Sequence, residues 1–231
     1  MDSEDSRTPR LYSHRPILTP ITPSIIASYR STRLLALGTD PSAFGSNYNR
    51  EVVFTDDIWT VRLEPSERRS WITLQGVVQP EGDSDWFAGG EAGVATMTIL
   101  SPCAAVNLPL AWDQFEKTGL TADWDIFIIH GMWVDPAHRG RDVAVELLKT
   151  GKEWARGFDI ENWVEGEENQ VSGSLGSCSK ENGCVPKKRM LALNVTEGNA
   201  AAHAFYRKVG FVDAPNVPTP AGQSCMVMEI G

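Results

Sequence analysis

Two arginines flanking a glycine, Arg139-Gly140-Arg141, sit between an apolar run and an amphipathic run, and they are the residues of this chain best suited to hold a phosphate. The stretch 126–156 reads IFIIHGMWVDPAHRGRDVAVELLKTGKEWAR. Its apolar first part carries one histidine, His130, and ends in Val134-Asp135-Pro136. After the turn, Val143, Ala144, Leu147, Leu148, Gly151, Trp154 and Ala155 keep one face at helical spacing, with Glu146, Lys149, Lys152 and Glu153 opposite. The order is therefore strand, tight turn, helix N-terminus. A helix N-terminus gathers unpaired N–H groups and partial positive charge, which suits a phosphate or pyrophosphate. Guanidinium groups add full charge and fork-shaped donors. A phosphate-bearing cofactor at this turn is the first expectation, and a basic turn in an ordinary strand–helix unit is the alternative. Neither G-x-G-x-x-G nor G-K-[ST] is present, so the turn is not a Rossmann fingerprint or a P-loop.

The elements that must position this turn follow from the rest of the chain. Residues 1–15 are polar and expected to be a flexible tail, and 16–231 a single domain. Pro16-Ile17-Leu18-Thr19-Pro20-Ile21 reads as an edge strand, since its prolines exclude a central one. Thr22-Pro23 opens a helix to about Leu37, stopped by Gly38. After the loop 40–46 a second helical stretch runs to about Leu63, with Thr55-Asp56-Asp57 as an internal cap. Segments 71–78 and 92–100 read as a hairpin with a long turn, and 101–124 as a less regular connection. Leu191–Val195 is a buried strand, Ala200–Val209 an amphipathic helix ended by Gly210, and Ser224–Ile230 a last strand. Residues 159–190 are rich in Gly, Ser, Glu and Asn and read as a mobile insertion. Its Cys178 and Cys184 match no zinc spacing, so free thiols and no metal are expected. Lys187-Lys188-Arg189 reads as a solvated charge run.

Composition narrows the function classes. A chain of 231 residues can bury one sizeable core, and its net charge of -9 argues against general nucleic-acid binding and leans toward a cationic acceptor. No apolar run reaches membrane-spanning length, and Met1-Asp2-Ser3-Glu4-Asp5 is unlike a signal peptide. The four cysteines do not form a secreted disulfide framework. A soluble cytoplasmic protein is expected, without nucleic-acid or membrane partners.

Taken in order, the elements resemble the GNAT superfamily of acyl-CoA-dependent N-acetyltransferases. One motif is the R/Q-x-x-G-x-G/A turn, here Arg139-Gly140-Arg141-Asp142-Val143-Ala144. The second is Leu193-Asn194-Val195 followed by Asn199, Ala202, Tyr206 and Gly210-Phe211. A third piece, Arg33-Leu34-Leu35-Ala36-Leu37 with Asp40-Pro41-Ser42-Ala43-Phe44-Gly45, is similar to the start of many small-molecule members. The resemblance implies an α/β (α+β) fold: a mixed central sheet of six to seven strands, flanked by about four helices and splayed between strands 4 and 5. One departure is Asp142, where the family usually has Gly. A Cβ and a negative charge there are expected to weaken CoA binding without abolishing it.

The resemblance also implies site residues. Met132, Trp133 and Val134 would bind pantetheine through their backbone and polarise the thioester, and residues Arg139, Gly140, Arg141, Asp142, Val143 and Ala144 the pyrophosphate. Asn199 would cap its helix and contact the CoA arm. Tyr206 stands where the family places the phenol that protonates the departing sulfur, with core packing as its alternative role. His130 stands where the arylalkylamine members carry a proton-relaying His, and an imidazole of pKa about 6.5 can take an amine proton at neutral pH. Asp125 is the alternative base, and His138 and His203 read as surface positions. Phe44, Ser46 and Tyr48, with Trp86, are candidates for lining the acceptor site.

The favoured expectation is acetyl transfer from acetyl-CoA, as co-substrate, to a small primary amine by direct attack in a ternary complex. A catalytically silent acyl-CoA-binding or interaction protein on the same fold, and a protein Lys or N-terminal acetyltransferase, are the rivals.

Overall fold

The computed structural model describes residues 12–64, 68–76, 87, 90–106, 109–160 and 187–231. Its strands are β1 (Tyr12–Pro16), β2 (Arg68–Gln75), β3 (Ala95–Leu100), β4 (Trp124–Val134), β5 (Lys188–Thr196), β6 (Val212–Asp213) and β7 (Gln223–Glu229). Its helices are α1 (Pro23–Thr39), α2 (Tyr48–Glu51), α3 (Asp56–Leu63), α4 (Pro102–Val106), α5 (Pro109–Glu116), α6 (Leu120–Asp123), α7 (Val143–Gly157) and α8 (Ala200–Lys208). The strands form one mixed sheet in the order β1-β2-β3-β4-β5-β7-β6. Strand β4 pairs parallel with β5 from Trp124–Lys188 to Ile128–Ala192, where the register stops although both strands continue. Beyond that point β5 stays paired with the antiparallel β7, as far as Thr196–Gln223. This is the sheet that the sequence led us to expect.

The chain groups into two compact units, Met1–Thr98 with Gly131–Thr150 and Ile99–His130 with Gly151–Gly231. In the first unit, Ile25, Ile26, Tyr29, Trp59, Leu63, Ile72 and Leu74 form the core. Helix α1 begins where Thr22 Oγ1 accepts from the Ile25 N–H, with Pro23 at its first position. It lies close to the sheet at Gly93. There the Gly93 N–H donates to Thr32 Oγ1 at 2.7 Å, and an added Cβ would lie 2.2 Å from Ile72 Cγ2. In the second unit, Leu100, Ala104, Ala105, Phe115, Ile126, Ile128, Met190, Ala192 and Cys225 form the core. Phe127 meets Trp154 and Phe158 edge-on at 6.0 and 5.9 Å.

Several expectations shift. The first strand is Tyr12–Pro16, antiparallel to Trp71–Gln75, rather than 16–21, so residues 12–15 are not tail. The second helical stretch is two short helices, with Thr55 as N-cap of α3. The 101–124 connection holds α4, α5 and α6. Strand β5 starts at Lys188, three residues earlier than expected. The basic run 187–189 is not simply solvated: Arg189 Nη1 donates to the Ala155 carbonyl at 2.9 Å, capping the end of α7, and Lys187 Nζ donates to the Thr121 carbonyl. Cys178, Cys184 and Trp86 lie outside the described residues. Among the described residues no helix is long and apolar enough to cross a membrane.

Candidate active site

The turn between β4 and α7 is built by two left-handed residues. Gly140 has φ 71° and Asp142 φ 58°, and Asp142 is the one non-glycine residue with positive φ among those described. The left-handed region favours Gly and tolerates Asp and Asn best among the rest. This gives a backbone reason for glycine at that position, and Asp142 meets the requirement at some cost. Its side chain is exposed, and its carbonyl accepts the first helical bond from the Glu146 N–H at 3.0 Å. Among the described residues no acceptor takes the backbone N–H groups of residues 140–145. The turn therefore presents a run of unspent amides at the start of a 15-residue helix.

Arg139 and Arg141 differ. Arg139 is drawn back onto its own strand: Nε donates to the Val134 carbonyl at 2.9 Å and Nη2 to Asp40 Oδ2. Asp40, at the C-cap of α1, also takes the Trp133 indole N–H at 2.6 Å. One carboxylate thus ties the end of α1 to the end of β4 and to the turn. Arg141 is exposed and makes no ion pair or hydrogen bond among the described residues. Met132 is half-buried and Trp133 and Val134 are buried, so their side chains pack. His138, expected at the surface, is buried, and Tyr12 Oη lies 3.1 Å from its Nδ1.

In the same unit, Phe44 and Ser46 are half-buried in the loop after α1, and Tyr48, exposed, opens α2. Beneath them lies a charge cluster not anticipated from sequence. Glu51 is fully buried and takes two bonds from Arg33, at 3.0 and 2.9 Å, and one from Arg62 at 3.0 Å. Burial alone would raise the Glu51 carboxyl. The hydrogen bonds from Arg33, the nearness of the Ser46 hydroxyl, and the charges of Arg33 and Arg62 outweigh it and hold the pKa at about 2. Ser46 helps by proximity, since its buried Oγ makes no bond of ordinary geometry. The Arg33 guanidinium also lies over the Phe44 ring, 4.7 Å from its centroid. One signal was available: Ile26, Tyr29, Arg33 and Leu37 share a helical face, which puts an arginine on a buried stripe.

The second unit holds the remaining candidates. His130 is exposed on β4 rather than packed among its apolar neighbours. Asp125 is half-buried, and burial raises its pKa against the opposing charges of Lys187 and Arg189. Asn199 caps α8, its Oδ1 accepting from the Ala202 N–H at 3.1 Å. Tyr206 is buried and meets Phe205 and Phe211 edge-on at 5.2 and 5.3 Å, and burial pushes its phenol well above the ordinary value of 10. His203 is half-buried, with Nε2 3.4 Å from Ser224 Oγ.

Residues 89–213, more than half of the chain, match the family model of the acetyltransferase (GNAT) domain. The chain belongs to the GNAT acetyltransferase family. Comparison with curated proteins finds no match by sequence. Among solved structures, the GNAT chain is similar to an acetyltransferase of Streptococcus pneumoniae, at 13% identity and a TM-score of 0.53, over 96% of this chain and 100% of that one. It is also similar to NAA60 of Arabidopsis thaliana in complex with acetyl-CoA, at 12% identity and a TM-score of 0.52, over 95% and 99%. A GNAT acetyltransferase of Staphylococcus aureus gives 10% identity and a TM-score of 0.50, over 95% and 100%. At these identities the likeness is one of fold. The family match makes this GNAT chain an acyltransferase by membership.

Proposed function

We propose that the protein transfers an acetyl group from acetyl-CoA to a primary amine by direct attack of the amine on the thioester. The observation that carries the reading is the run of unspent amides at 140–145, inside the matched GNAT domain. A pyrophosphate needs several donors converging from one side, and left-handed residues alternating with right-handed ones turn successive N–H groups that way. The backbone of Met132, Trp133 and Val134 takes the pantetheine arm, and Asn199 offers its remaining amide N–H to it.

In the reaction, the neutral amine forms a C–N bond, the C–S bond breaks, and the thiolate leaves with a proton. Tyr206 supplies that proton: its phenol is protonated at neutral pH, and burial, which raises its pKa, leaves it a weaker donor until the thiolate charge develops beside it. His130, exposed on β4, accepts the proton lost by the amine. Phe44, Ser46 and Tyr48 line the acceptor side. The complex with acetyl-CoA of the structurally similar NAA60 supports the choice of co-substrate.

Calorimetry with acetyl-CoA tests the reading, on the wild type beside Arg141→Ala and Arg139→Ala. Micromolar binding, weakened about 3- to 10-fold by loss of the exposed Arg141 cation, is expected. No binding to the wild type would turn the reading toward an interaction protein on the same fold.

A further inference from the structure

The charge cluster under the acceptor loop has an unspent donor. Arg33 uses Nε and Nη2 on Glu51, while its Nη1 makes no hydrogen bond among the described residues. The side chain is only 10% exposed, so the guanidinium is held in place, and Nη1 is the donor left open to an incoming group. It faces β4 at Gly131, where a Cβ would lie 3.7 Å from Nη1 and where φ is 64°. Glycine there removes the side chain that would otherwise stand against the guanidinium. The cluster is also unbalanced: Arg33 and Arg62 share one carboxylate, which leaves one positive charge beneath Phe44 and Ser46.

We propose that Arg33 is a specificity residue that reads a carboxylate on the acceptor, so that the preferred acceptor is an amino acid rather than a plain amine. This rests on the acetyl-transfer reading and names the substrate class for the same site. The net charge of -9 would by itself favour a cationic acceptor, but screening confines exposed charges to about 10 Å, whereas a buried guanidinium acts at contact distance. A plain alkylammonium brings a second positive charge to this cluster. An amino acid brings its own counter-charge, and a charge-assisted hydrogen bond to a held donor discriminates by about 10- to 100-fold.

The test compares matched pairs, phenylalanine against 2-phenylethylamine and tryptophan against tryptamine, by kcat/KM with acetyl-CoA. A preference of at least tenfold for the amino acid in both pairs is expected, and Arg33→Met is expected to collapse that ratio toward one, with Arg33→Lys intermediate. If Arg33→Met fails to fold, the double variant Arg33→Met with Glu51→Met removes the buried pair, leaves the partly exposed Arg62, and is expected to collapse the ratio in the same way. Equal turnover of the wild-type pairs overturns the inference while acetyl transfer stands. If acetyl-CoA does not bind at all, the underlying reading fails, and Arg33 is then judged by calorimetry of N-acetylphenylalanine against N-acetyl-2-phenylethylamine. Equal binding of the two overturns the proposal, and binding of the acid alone, lost in Arg33→Met, supports it.

Discussion

Asp142 is the residue at which backbone conformation and chemistry pull in different directions. Its φ of 58° is one that a Cβ resists, and its charge stands beside the amides proposed to hold pyrophosphate. Replacing it by glycine relieves the backbone but adds freedom to the unfolded chain, so the two effects largely offset in stability. Asp142→Ala keeps the Cβ and loses the short polar side chain that tolerates this region, and is expected to destabilise by about 0.5–1 kcal/mol. Denaturant unfolding reads that order, glycine and aspartate together and alanine below. In acetyl-CoA calorimetry Asp142→Gly is expected to bind more tightly than wild type, and unchanged affinity would show that the side chain points away from the phosphates. Tyr206 poses a simpler choice between packing and proton donation. Tyr206→Phe keeps the aromatic contacts with Phe205 and Phe211 and loses only the hydroxyl. General-acid catalysis predicts a fall in kcat of about 10²-fold, whereas unaltered turnover across the pH range would leave the residue a core tyrosine.

At the scale of elements, Glu51 joins α1, α2 and α3 through a single carboxylate, so its ionisation is part of the fold. Its folded pKa of about 2 lies below the ordinary 4.5, so the ionised group contributes stability that is fully present above pH 4.5 and lost as pH falls toward 2. The size is about 3 kcal/mol at neutral pH. Unfolding measured at pH 7, 4 and 3 should show that loss, and Glu51→Gln should flatten it while costing about 3–5 kcal/mol at pH 7, because Arg33 is left buried without its partner. Neither Glu51 nor Arg33 was read as a pair from sequence, since 18 residues separate them and charged residues in short segments look solvated. By contrast β4 and α7 were legible, because an unbroken apolar run and a clean helical face each state their own period. Helices α4, α5 and α6 were not, because four- to eight-residue helices show too few turns for periodicity and owe their form to packing. Strand β1 was misplaced for a related reason: Tyr12–Pro16 is half-buried at every position and shows no alternation. The turn 139–144 was located by its motif, yet the pairing of Arg139 with Asp40, 99 residues away, could only come from the fold.

The whole molecule carries a net charge of -9 and is proposed to bind an anionic co-substrate, so the source of affinity can be tested through salt. Around the turn, Arg139 is paired with Asp40 and Lys149 with Glu146, while Asp142 stands beside the exposed Arg141. The local balance is therefore not strongly positive, and long-range steering should oppose an anion rather than draw it in. Raising ionic strength from about 0.01 M to 0.1 M shortens the screening length from about 30 Å to 10 Å, which removes the long-range repulsion but leaves amide-to-phosphate bonds intact. Binding centred on residues 140–145 thus predicts an acetyl-CoA affinity that stays level or rises up to about threefold over that range. Binding centred on the arginine charges predicts a fall, because screening weakens the attraction between opposite charges. Calorimetric titration at the two salt concentrations separates them, and the same pair of titrations on Arg141→Ala shows how much of any slope belongs to that one cation.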